Sequence, residues 1–137
     1  MAYDPNNIFA RILRGELPSV KVLEDAKTLA FMDIMPVTEG HTLVIPKEHA
    51  ETIFDLSSDG AADLIRATKH VATAVKKALN CPGLMIAQLN GSAAGQSVPH
   101  IHFHILPRTQ VNFSLHGRTM VDPKTLEPIA AKIRAAL

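Results

Sequence analysis

The 137-residue sequence holds one cysteine, no tryptophan and a single tyrosine. With Cys81 alone, no intramolecular disulfide can form, which points to a reducing compartment. Charge of one sign is also missing. The formal net charge is +1 and Lys and Arg are scattered, so no electrostatic grip on nucleic acid or on an anionic membrane is expected. No apolar run approaches the ~20 residues that cross a bilayer. The start, Met1-Ala2-Tyr3-Asp4-Pro5, lacks the basic and apolar stretches of a secretory signal. No repeat, low-complexity tract or long linker divides the chain, so one domain over residues 1–137 is expected, with a cytoplasmic location. What remains is ordinary. A hydrophobic fraction of 47% and a charged fraction of 20% belong to a globular chain able to bury a core.

Asn6 or Asn7 can cap a short helix carrying Ile8, Phe9, Ile12 and Leu13, which ends near Gly15 before Pro18. Strands are predicted over residues 20–23, 28–33 and 42–45, the first two separated by a hairpin turn, in the order of an antiparallel meander. From Ser57 to Asn80 the period changes. Ala61, Leu64, Ile65, Thr68, Val71, Val75 and Leu79 recur at steps of three and four, an amphipathic helix about 33 Å long. A buried strand is expected over 84–89, a small-residue loop over 90–99 and a strand over 100–106. Asp122-Pro123 caps a terminal helix whose stripe is Leu126, Ile129, Ile133 and Leu137. Strands, helix and strands without regular alternation indicate an α+β fold.

His100-Ile101-His102-Phe103-His104-Ile105 is the informative segment. On a strand, side chains alternate faces, so three imidazoles about 7 Å apart share one face while Ile101, Phe103 and Ile105 pack inward. With seven histidines in the chain, such spacing arises by chance in roughly 2% of comparable sequences. Two chemistries suit it. Neutral imidazoles bind zinc, although three ligands to one ion from one straight strand are awkward. Alternatively an imidazole, largely neutral at pH 7, attacks as a nucleophile while its neighbours orient it and donate to phosphate oxygens. The preceding loop, Asn90-Gly91-Ser92-Ala93-Ala94-Gly95-Gln96-Ser97, favours the second, because glycines let main-chain N–H groups approach an anion.

The run from Gly95 to Leu106, Gly-Gln-Ser-Val-Pro-His-Ile-His-Phe-His-Ile-Leu, resembles the motif of the histidine-triad (HIT) superfamily. Asn7–Ile12, Leu29–Ile34 and Gly40–Lys47 resemble the matching segments of its Hint-like, purine nucleoside phosphoramidase branch, so the likeness covers about residues 6 to 108. It implies a HIT-like fold: a five-stranded antiparallel sheet per subunit with a long helix, a short N-terminal helix and a C-terminal helix, in a homodimer. It also implies hydrolysis at the α-phosphorus of a purine nucleoside phosphoramidate through a nucleotidyl-histidine intermediate, without a cofactor. His102 would be the nucleophile, with Ser97 at the leaving group, His104 on the phosphate and His100 holding the strand. Asn90, Gly95, Gln96, Ser97, His104 and His41 would surround the phosphate. Ile8, Phe9, Phe31, Ile34 and Leu43 would line the nucleoside pocket, and Asp33 would bond the ribose.

Some bacterial members of that superfamily hold a structural zinc through two cysteines and two histidines. The aligned positions here are Asn7, Ala10, His49 and His100, so two ligands are missing and no metal is expected. Dinucleoside polyphosphate hydrolysis, which Pro107-Arg108 also suits, and nucleotidyl transfer are the alternatives within the superfamily. A zinc-dependent hydrolase and a non-catalytic nucleotide-binding or interaction module are the rivals outside it. His70 and His116 carry no assignment, and neither does the segment from Val111 to Val121.

Overall fold

The computed structural model describes residues 2–137. In chain order it contains α1 (Ile8–Leu13), β1 (Lys21–Glu24), β2 (Thr28–Met32), β3 (Thr42–Pro46), α2 (Ser58–Leu79), β4 (Gly83–Gln88), β5 (Phe103–Arg108) and α3 (Pro123–Ala136). The helices start where side chains satisfy free backbone donors. Asn7 Oδ1 accepts from Ala10 N–H, Ser57 Oγ from Gly60 N–H, and an Asp122 carboxylate oxygen from Lys124 N–H. Asn80 ends α2 in the left-handed region, at φ 49°.

The five strands form one antiparallel sheet in the order β1-β2-β3-β5-β4. The first three make the expected meander, and β5 then inserts between β3 and β4. Register assigns the faces. Ala30, Val44 and Phe103 lie in one transverse row and pack with Ile105, α2 and α3 in the main core. Phe31, Leu43 and His104 lie in the next row, on the opposite face. There Phe9 of α1 joins Leu29, Phe31, Leu43 and Ile45 in a second, smaller cluster. That thinly covered face holds the cleft.

Three expectations need correction. The strand expected over 100–106 begins only at Phe103. Ile101 N–H donates to Ala50 O rather than to a neighbouring strand, so His100 and His102 precede the ladder. The strand expected to be buried, β4, is the sheet edge, and its Ile86 is 46% exposed. On α2, Ile65 lies outside the buried stripe and is 50% exposed.

Candidate active site

Main-chain groups fix the protonation of four buried imidazoles. His41, His100 and His104 are at most 2% exposed, and burial first of all pushes their pKa values down, to about 3, about 4 and about 3. Burial lowers His102 as well. All four rings are therefore neutral at pH 7, each with one N–H and one lone pair. His102 Nδ1 lies 2.7 Å from His100 O, and a carbonyl only accepts, so Nδ1 carries the proton and Nε2 the lone pair.

At His104 the proton sits on the opposite nitrogen, Nε2. Val37 N–H donates to His41 Nδ1 (3.1 Å), so the His41 proton sits on Nε2 and is given to His104 Nδ1 (3.0 Å). His104 must then carry its own proton on Nε2. That buried atom has no hydrogen-bond partner among the described residues. A buried donor without an acceptor costs roughly 1–3 kcal/mol, and its ring centre lies 4.9 Å from that of His102. A lone pair and an orphaned N–H thus stand side by side.

They open on a cavity of about 680 Å³, walled largely by apolar side chains from α1, β2, β3 and α3. Of the residues predicted for the site, Ile8, Phe9, Phe31, Asp33, Ile34, Leu43, Ser97, His102 and His104 line it. Phe9 packs edge-on against His102, with ring centres 4.9 Å apart. Asp33 Oδ1 accepts from Met35 N–H, Oδ2 lies 3.4 Å from His41 Nε2, and burial raises its pKa. His41 and His100 do not reach the cavity wall and touch the other histidines from behind.

The loop before β5 divides differently from expectation. Gly91 and Gly95 hold φ of +90° and +97° on either side of a short turn at Ser92–Ala94, conformations that glycine alone adopts freely. Gln96 is internal bracing. Its Oε1 accepts from Gly91 N–H (2.7 Å) and its Nε2 donates to Glu51 O (2.7 Å) and Val98 O (3.0 Å). Asn90 exchanges hydrogen bonds with Gln88 and accepts from Ile53 N–H, so the structure does not bring it to the cavity.

The sequence model of the HIT domain matches residues 14–111. The chain belongs to the HIT family. The "Protein hit" of Bacillus subtilis is 46% identical over 137 residues, covering 96% of this chain and 94% of that protein. The adenosine 5'-monophosphoramidase hnt1 of Schizosaccharomyces pombe is 43% identical over 108 residues, covering 79% and 78%. A HIT-like protein of Bartonella henselae described as involved in cell-cycle regulation superposes with a TM-score of 0.94 at 45% identity, with both chains fully covered.

Two features of this HIT protein were not visible in its sequence. His116, from the unassigned segment after β5, lines the cavity, and its Nε2–H donates to Gly95 O (2.9 Å). Tyr3 stacks on His49, with ring centres 4.7 Å apart, and its phenol is 2.5 Å from His100 Nδ1. His100 Nε2 meets Pro46 O at 2.8 Å and so carries the proton, leaving Nδ1 to accept from Tyr3.

The residues do not fit the zinc of some HIT proteins. Asn7 and Ala10 offer no thiolate, and both His100 nitrogens are already committed. Ligand atoms of Asp33, His41 and His104 do lie within 4.8 Å of one another. The chain from Val37, however, places a proton on His41 Nε2 where a metal needs a lone pair.

Proposed function

We propose that this HIT protein hydrolyses purine nucleoside phosphoramidates such as adenosine 5'-phosphoramidate, releasing the nucleoside monophosphate and an amine. The observation that carries the reading is the pairing of a lone pair on His102 Nε2 with the orphaned N–H of His104 at one cavity wall. Phe9, Phe31, Ile34 and Leu43 supply the apolar surface for a nucleoside, and Asp33 stands where a ribose hydroxyl can donate to it. In the first step His102 Nε2 bonds to the α-phosphorus and the P–N bond breaks. The amine leaves with the Ser97 hydroxyl proton, which solvent water replaces, leaving a hydroxide to be neutralised in the second step. Positive charge developing on the His102 ring is balanced by the His100 carbonyl at Nδ1, and charge on the phosphoryl oxygens by His104 Nε2–H. Water then adds to phosphorus, its released proton neutralising the hydroxide of the first step, and the Nε2–P bond breaks, restoring the neutral imidazole. No step requires a metal or cofactor.

His102→Ala should lose turnover by about 10³-fold or more while keeping its fold and its affinity for the monophosphate. Intact-protein mass after brief exposure to substrate should show one added nucleotidyl group in the parent protein and none in the variant. Near-normal activity in His102→Ala would remove the reading. As subunit arrangement we infer a homodimer joined along the free edge of β4, supported by the exposed Ile86 at that edge. No helix of the described residues is long and apolar enough to cross a membrane.

A further inference from the structure

The segment between β5 and α3 turns back across the mouth of the cleft and is tied down at several points. Arg108 holds its first half, with Nε donating to Asn112 O (3.0 Å) and a terminal guanidinium nitrogen to Ser114 O (2.5 Å). Gly117 is pressed against the loop after β2, where a Cβ would lie 2.2 Å from Met35 O, closer than such contacts occur. Val121 N–H donates to Ile34 O (3.0 Å). Between these anchors stands His116, bonded through Nε2–H to Gly95 O and edge-on to His104 at 5.8 Å between ring centres. The imidazole thus stands between the glycine loop and the His104 ring, beside the gap where the proposed reaction puts the phosphate.

We propose that His116 is an anion-binding residue of the site, donating from Nδ1 to an oxygen of the substrate's phosphate or leaving group. The bond to Gly95 occupies Nε2 only. Nδ1 is left to meet the anion, and with an N–H at both nitrogens the ring holds Gly95 O and the anion at once. The groups facing this ring are the Asp33 carboxyl and the neutral imidazoles of His41, His102 and His104. Because the residue comes from the same chain as the triad, this subsite needs no second subunit.

The inference rests on the nucleotide reading of the cleft, so its test separates the two. Calorimetry would compare adenosine with adenosine monophosphate in the parent protein, His116→Ala and His116→Gln. In His116→Ala, affinity for the monophosphate should fall about tenfold, as loss of a charge-assisted hydrogen bond implies, while affinity for adenosine stays within about twofold. His116→Gln keeps a donor for Gly95 O and a second N–H, and should recover part of the loss. With adenosine 5'-phosphoramidate, His116→Ala should raise KM about tenfold and leave kcat within about threefold. Equal weakening of both ligands would mean that the segment merely shapes the pocket, and unchanged affinity for both would mean that His116 does not touch the phosphate. Either result overturns the inference. A parent protein that binds neither ligand would remove the nucleotide reading and this inference with it.

Discussion

Which nitrogen holds the proton is decided by a backbone carbonyl or amide at His41, His100 and His102, and at His104 by the side chain of His41. His102 is set by its own neighbour's carbonyl, His41 by Val37 N–H and His104 through His41. At His100 the carbonyl of Pro46 fixes Nε2, but Nδ1 depends on the Tyr3 phenol. Burial raises the pKa of that phenol first of all, so it remains a donor at neutral pH. Tyr3→Phe keeps the stack on His49 and removes only the hydroxyl, leaving a fully buried acceptor unmet. Stability should fall by about 1–3 kcal/mol, measured by urea titration. As His100 O is also the acceptor for His102 Nδ1, kcat should drop a few-fold with little change in KM. A variant with parental stability and kcat would show that the phenol does not hold His100 in place.

At the scale of elements, the sequence specified what local chemistry alone decides. Caps at Asn7 and Asp122 and the three-four spacing of Leu64, Thr68, Val71 and Val75 placed all three helices to within a residue or two. Ranges for β1 to β3 were similarly close. The cleft-lining side chains among Phe9, Phe31, Asp33 and Leu43 were legible through family likeness. What was not legible depended on contacts far along the chain. The start of β5 shifts because Ala50 captures Ile101 N–H, and Asn90 leaves the cleft because Gln88 and Ile53 satisfy it. His116 sits in a segment without periodicity, placed by Gly95, Met35 and Ile34 from three other parts of the chain.

Leu-Met-Ile-Ala reads as a core strand because its apolar run does not alternate, yet β4 ends the sheet. Register puts Ile86 in the row of Ile105, on the face that α2 covers, and Ile65 of α2 is exposed as well. An apolar, unpaired edge is a template for pairing with another copy. Ile65→Glu combined with Ile86→Glu should shift sedimentation from dimer to monomer, weakening association about 100-fold or more, while circular dichroism stays unchanged. A parent protein that sediments as a monomer at ten micromolar and above would dispose of the β4 dimer.

For the molecule as a whole, the site works against acid stability. The pKa values of His41, His100 and His104 fall from an ordinary 6.5 to about 3, about 4 and about 3 on folding. Below pH 6.5 the unfolded chain therefore binds protons that the folded chain refuses, and stability must rise with pH across the window from about 4 to 6.5. Each histidine contributes a slope of up to about 1.4 kcal/mol per pH unit, so the three together approach roughly 4 kcal/mol per unit near pH 5. His102, also lowered, adds to the same slope. Asp33 opposes it, since a raised carboxyl pKa makes the folded state the better proton acceptor, but it is one group against four. Against a typical reserve of about 5–15 kcal/mol, this slope is large. Urea midpoints should be level above about pH 7, decline steeply below 6, and reach spontaneous unfolding between about pH 4 and 5. A midpoint that stayed level down to pH 5 would mean that these imidazoles are not buried uncharged, and the lone pair assigned to His102 would lose its basis as well.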